Sequence, residues 1–128
     1  MTIAQRVLNV KSTLWRDKAD RAWGELIVST GQCERCGKIL PRNMLAPHHL
    51  ISKSEHLLRH CILNGMALCV HCHTSGPWSA HGHPRAFNEW LMLMKPERWQ
   101  FMQENRHPKG QVDYKAAFEG LQSVRGLG

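Results

Sequence analysis

Two pairs of cysteines at one spacing do most to limit what this chain can fold into. Cys33-Glu-Arg-Cys36 and Cys69-Val-His-Cys72 each set two thiols a tight turn apart, with 32 residues (37–68) between the pairs. Two such pairs let four sulfurs converge on one tetrahedral ion, and a closed four-thiolate site suits a structural Zn²⁺. The competing use of a CxxC pair is thiol–disulfide exchange, which expects a thioredoxin-like βαβ setting. That setting is missing around both pairs. The gap between them exceeds that of a simple zinc finger and is long enough for a hairpin. Cys33, Cys36, Cys69 and Cys72 are therefore the expected zinc ligands. The fifth cysteine, Cys61, reads as a small buried apolar residue.

The chain has 128 residues, which fits a single domain over 1–128, and metal stapling would help a core this small. Its net charge of +7 favours a polyanionic partner, of which nucleic acid is the commonest. The N-terminus lacks the continuous apolar core of a secretory signal. No stretch approaches a membrane span, so no membrane partner is expected. Cysteines used as metal ligands fit a reducing, cytoplasmic compartment.

Apolar periodicity predicts an amphipathic helix over 13–30, with Leu14, Trp15, Ala19, Ala22, Trp23, Leu26 and Ile27 on its face. Ser12 or Thr13 would cap it and Gly31 would stop it. The Trp15/Trp23 stripe reads as core, with a subunit interface as the alternative. Two short strands are expected at Leu45–Leu50 and Ile62–Leu68, the second interrupted by Gly65. A polar, basic stretch (52–60), read as a loop or a short helical turn, joins them. A short helix should run from Cys69 to about Gly76-Pro77. Further helices should start at Pro84 and Pro96, and a last one at Asp113, within about 84–125. Ala86, Phe87, Trp90, Leu91 and Met94 would form the first of these apolar faces. Gly126-Leu127-Gly128 should fray.

Four zinc thiols leave the histidines without a role. His48-His49 precedes Asn64 by about 15 positions, and His73 follows Asn64 by nine and adjoins Cys72. The run His48-His49-Leu50, then Asn64, then Leu68-Cys69-Val70-His71-Cys72-His73 resembles the HNH endonucleases of the ββα-metal fold, in their four-cysteine, zinc-bearing branch. The likeness is strongest over about 30–76. It extends loosely to Lys18-Ala19-Asp20 and to Ser79-Ala80-His81…Trp90-Leu91, a layout similar to phage and prophage proteins that include lambdoid recombination nucleases.

The resemblance implies an α+β fold, a small ββα-metal core flanked by an N-terminal helix and C-terminal helices. It implies that His49 is the general base and that Asn64 holds the His49 loop and orients its ring. His48 and His73 would be ligands of a second, catalytic divalent metal, with Mg²⁺ or Mn²⁺ expected and Zn²⁺ or Ni²⁺ as alternatives. Pro77 stands where some relatives carry a further histidine, so the third ligand would be His81, or else His83, which could instead cap the next helix. The partner implied is DNA, duplex or branched, cut with low sequence specificity in a bacterial host cell, with a homodimer as one possible state. His71 would be solvated or touch phosphate. His56, His60, His107, Arg59, Lys53 and Arg42 would be exposed, some of them facing DNA. Two other functions compete, a non-catalytic zinc-ribbon DNA-binding protein and a toxin-type nuclease.

Overall fold

The N-terminal helix begins ten residues before the expected start at 13. In a computed structural model, which describes residues 1–127, α1 runs Ile3–Val28 rather than 13–30. Thr2 caps it. Its hydroxyl accepts from the Gln5 amide at 3.1 Å, and the Gln5 side chain accepts from the Thr2 amide at 3.4 Å. This reciprocal box satisfies two end donors. Thr13 is no cap; its hydroxyl bonds back to the Asn9 carbonyl at 3.0 Å inside the helix. Residues 3–14 are all exposed, Leu14 included, so the apolar pattern there answers to no core. The end follows the expected chemistry, with Gly31 at φ +68° just past Ser29.

After α1 come two short antiparallel strands, β1 (Leu45–His49) and β2 (Gly65–Cys69), paired Leu45 to Cys69 and His49 to Gly65. The expected second strand loses its start. Ile62–Asn64 forms a 3₁₀ turn, and β2 begins at Gly65 instead of being interrupted there. Gly65 is required by packing. A Cβ there would stand 2.3 Å from the Ile27 Cδ1 and 2.7 Å from the Trp23 ring. The missing side chain lets α1 lie directly on the end of the hairpin.

A helical turn, His71–Ser75, follows β2, then α2 (Pro84–Met94), α3 (Pro96–Glu104) and α4 (Tyr114–Leu127). Both prolines stand at helix starts, where no backbone donor is needed. Asp113 accepts from the Ala116 amide at 3.0 Å and so caps α4. Of the end expected to fray, Gly126 and Leu127 continue α4, and Gly128 lies outside the described residues. Phe87 and Leu91 are buried, whereas Met94 turns outward. The result is a mixed α+β structure with helices at both ends of a two-stranded sheet. Its core joins Ala19, Ala22, Trp23 and Ile27 of α1 to Met66, Ala67 and Leu68 of β2, to Phe87 and Leu91 of α2 and to Leu121 of α4. α4 packs along α1, with the Trp15 and Phe118 rings 5.7 Å apart and Arg125 bonded to Glu25 at 2.8 Å. Among the described residues no helix is long and apolar enough to cross a membrane.

One charged junction pins the interstrand loop to α1 and corrects two expectations. Arg59 and His60 do not face solvent. Arg59 donates to both Asp20 carboxylate oxygens at 2.7 Å, and His60, 8% exposed, donates Nε2–H to Oδ1 at 2.6 Å. Burial would raise the Asp20 carboxyl, but the bonds from Arg59 and His60 outweigh it and hold it below its ordinary pKa. Its contribution to stability is present above the unfolded carboxylate pKa and is lost as pH falls through the lower folded one. Burial also pushes the His60 imidazole down, against the pull of Asp20 and with that of Arg59, while the Tyr114 ring covers it at 5.7 Å. The unfolded chain then binds a proton on His60 where the folded chain does not, so stability rises with pH through the ordinary histidine range.

Urea unfolding of wild type and His60→Gln should show the wild-type advantage shrinking as pH is lowered from about 7.5 to about 5.5. Asp20→Ala should lose about 1–3 kcal/mol at neutral pH, because Arg59 is left without its charge-assisted acceptors. An Asp20→Ala chain as stable as wild type would remove this junction from the forces that hold the loop.

Candidate functional site

The backbone around each cysteine pair is shaped to gather sulfur. Cys33 opens a knuckle in which Gly37, at φ +79°, donates its amide to the Cys33 carbonyl at 2.9 Å. Cys69 ends β2, and Cys72 lies in the helical turn behind it. The knuckle is tied to β2 by Glu34, whose amide donates to the Ala67 carbonyl and whose carboxylate accepts the Ala67 amide, both at 2.9 Å. All four Sγ atoms lie within 4.8 Å of one another. Cys36 and Cys69 are 3.9 Å apart, far too long for a disulfide. It is the edge expected of a tetrahedron with metal–sulfur bonds of about 2.3 Å. Burial raises the Cys33 thiol, but amides of Cys36, Cys69 and Arg35 directed at it outweigh that and bring it down to about 7, where thiolate forms readily. Burial and the neighbouring thiols push Cys72 up, which disfavours an uncompensated thiolate there. This donor set fits a structural metal ion.

Three histidines meet on the other side of the hairpin. His48 from β1, His73 from the helical turn and His81 from the loop before α2 bring ring nitrogens within 4.8 Å of one another. The loop is drawn back by the His81 amide, which donates to the His73 carbonyl at 3.0 Å. Phe87 of α2 closes the back, its ring 5.8 Å from that of His48. Burial, then the neighbouring imidazoles of His73 and His81, push His48 down to about 3, so it stays neutral. Burial and His81 lower His73 in the same way. Neutral imidazole is the form that coordinates a metal. His83 occupies the cap position of α2 without making a side-chain cap bond, and it is outside the cluster.

His49, next along β1, faces a different set of contacts. Its ring stacks on Trp23, with centroids 4.0 Å apart and planes 16° from parallel. Nε2 lies 2.9 Å from the Arg59 carbonyl. A carbonyl can only accept, so Nε2 carries the hydrogen and Nδ1 of the neutral ring keeps a free lone pair. Burial lowers the His49 pKa, against the opposing pull of the Arg59 carbonyl. His48, His49, His73, His81 and Lys53 all line one cleft of about 540 Å³.

Asn64 is fully buried, and its side chain works on the loop rather than on the ring of His49. Its Oδ1 accepts from the Ile51 amide at 2.7 Å, and Nδ2 donates to the carbonyls of Ile51 and Leu58 at 3.0 and 3.2 Å. The Asn64 carbonyl takes the Leu50 amide at 2.9 Å. The ring itself is set by Trp23 and by the Arg59 carbonyl, and the Asp20 junction fixes Arg59. Neither reading of Trp23 from sequence, core or subunit interface, anticipates this stack. The available signal was a large aromatic at helical spacing, which does not announce a stacking partner 26 positions away (23 to 49). Cys61 is half-buried, and its carbonyl accepts the Trp23 indole N–H at 3.0 Å. His71 is exposed, as are His56, Lys53, Arg42 and His107.

Residues 33–76 match the family model of HNH endonuclease. Neither curated proteins nor solved structures yield a match to the chain. The matched segment carries the four thiols, His48, His49, Asn64 and His73. His81, Trp23 and Asp20 lie outside it.

Loss of an ion from a closed thiolate site removes folding energy directly, about 10 kcal/mol or more in small metal-stapled domains. Cys72→Ser should therefore lose about one bound ion per chain and unfold at much lower urea. His73→Ala should keep that ion and nearly all stability. Elemental analysis beside urea unfolding measures both, and equal damage from the two variants would merge the two clusters into one structural unit.

Proposed function

We propose that this chain is a metal-dependent endonuclease that hydrolyses DNA phosphodiester bonds with low sequence specificity. Zn²⁺ is held by Cys33, Cys36, Cys69 and Cys72, and a divalent cation, Mg²⁺ or Mn²⁺ first, by His48, His73 and His81. The observation that carries this reading is one cleft in which an oriented imidazole, His49, stands beside a cluster of three histidines whose ring nitrogens converge. The match to HNH endonuclease over 33–76 supports the same chemistry.

His49 is the base. With Nε2–H held by the Arg59 carbonyl, Nδ1 accepts a proton from the water that attacks phosphorus. Trp23 and Arg59 stop the ring from turning away, so the lone pair is held in place before substrate arrives. Asn64 keeps the loop that carries His49 closed on the hairpin. Lys53, exposed at the cleft, pairs with a phosphate of the bound strand. The cation, when bound, supplies electrostatic stabilisation of charge that grows on the phosphate and the departing 3′ oxygen. A zinc-ribbon protein that only binds DNA would account for the thiols and the charge. It would give no reason for three imidazoles to converge beside a fourth. The wider sequence layout supports a phage or prophage setting and a part in recombination or DNA processing, in the cytoplasm of a bacterial host.

His49→Ala should cut duplex DNA roughly 10²–10⁴-fold more slowly than wild type, with metal content and DNA affinity kept. Near wild-type turnover in plasmid nicking assays would take the base assignment away from His49. Binding by that variant should weaken with salt along a log–log slope of about −3 to −6, since affinity comes from phosphate contacts and counterion release. Unrelated duplex sequences should fall on one line, and a duplex that stands apart at high salt would reveal base-edge readout.

A further inference from the structure

A band of aromatic and cationic side chains runs out from the histidine cluster to the surface. Phe87, against His48, lies 5.4 Å from the Trp90 ring. The Arg35 guanidinium, on the thiol knuckle, lies 4.7 Å from the Trp90 centroid and 5.8 Å from that of Trp78. His71 meets Trp78 edge-on at 5.9 Å. The band ends at Trp78, an indole left 42% exposed in the loop that joins His73 to His81.

Such a loop would ordinarily not spend a tryptophan on solvent, and this one is held rigid. Ser79, next to Trp78, is fully buried, donates its hydroxyl to the Thr74 carbonyl at 3.0 Å and accepts the Gly82 amide at 3.1 Å. The Ala80 amide is fixed to the Cys72 carbonyl at 2.9 Å. Arg35 has no carboxylate partner among the described residues, its buried Nε–H has no acceptor, and its guanidinium lies against the two indoles. An exposed, pre-positioned aromatic face with uncompensated positive charge behind it is suited to a flat, π-rich, anionic ligand. His71 and His73 sit two residues apart on one helical turn. The Trp78 face is then about a helix diameter, roughly 10–12 Å, from the three-histidine cluster, within reach of a strand engaged in the cleft.

We propose that Trp78, backed by Arg35 and edged by His71, is a stacking site for an unpaired nucleobase next to the cut. The preferred substrate is then duplex DNA with a single-stranded extension or opening, because a paired base hides its face in the stack. This inference rests on the nuclease reading of the cleft, and its test is separate from cleavage.

The test is equilibrium binding of the metal-loaded His49→Ala protein to three labelled DNAs: a blunt duplex, the same duplex with a short overhang, and that duplex with an abasic overhang. The abasic strand keeps the phosphates and lacks the bases. The intact overhang should bind roughly tenfold tighter than the blunt end, the scale of one base stacked on one aromatic ring. The abasic overhang should lose that gain. Adding Trp78→Ala should bring the overhang-to-blunt ratio close to one, and Trp78→Phe should retain much of it. Thermal melting checks that each variant is folded. Equal binding of blunt and overhang DNA by the parent would overturn the proposal, as would a gain that survives Trp78→Ala or the abasic strand. Failure of wild type to cut any DNA with added Mg²⁺ or Mn²⁺ would instead count against the nuclease reading, whatever the ratio.

Discussion

The convergence of four thiols is the constraint on which the rest of the structure depends. A two-stranded hairpin is marginal in water by itself, and here it has ten paired residues and little else of its own. Tying Cys33 and Cys36 to Cys69 and Cys72 closes the long segment between the pairs and fixes the end of β2. The next residue, His73, is then placed without further help, and β1 follows by register, which sets His48 opposite Met66. Gathering the thiols on one side of the hairpin therefore positions the histidine cluster on the other. The same knuckle carries Glu34, which joins Arg98 of α3 to the β2 backbone, so α3 is clamped to the hairpin through the thiol site as well.

The second organising force is removal of charge from imidazoles. His48, His49, His60 and His73 are all pushed below their ordinary pKa, in each case first by burial. A chain with a net charge of +7 gains from this, because protonated histidines packed together would add repulsion to a basic surface. It leaves His48, His49 and His73 neutral with lone pairs free, while Lys53 brings positive charge to the lining of the same cleft.

What could be read from the sequence followed from chemistry that is local in the chain. Each CxxC pair states its own geometry, and the two prolines at 84 and 96 mark helix starts by lacking a donor. The resemblance names His48 and His73 and leaves His81 or else His83 as the third, and the fold brings the nitrogens of His48, His73 and His81 together. Other features needed partners too distant for spacing to reveal. Arg59 and His60 look like a solvated basic stretch until Asp20, about 40 positions earlier, is known to face them. Ile62–Asn64 has strand-like composition, but the Asn64 side chain satisfies the Ile51 and Leu58 backbone and so turns that stretch into a 3₁₀ turn. The first turns of α1 carry apolar residues that bury nothing, so periodicity could not locate a start that a polar cap decides.

The close fit of α1 over Gly65 bears on which part of this chain is a transplantable unit. The segment that matches the HNH endonuclease model holds His49 and two of the three clustered histidines, but the aromatic surface under the His49 ring belongs to a helix outside it. A graft of 33–76 onto another scaffold would carry the four thiols, His48 and His73 without His81, and would leave the His49 ring without its Trp23 stack. The transplantable unit is the helix and the motif together, and the bare backbone at position 65 is the seam along which the two fit. A substituted α1 without an aromatic face at that seam would leave the imidazole of His49 unseated.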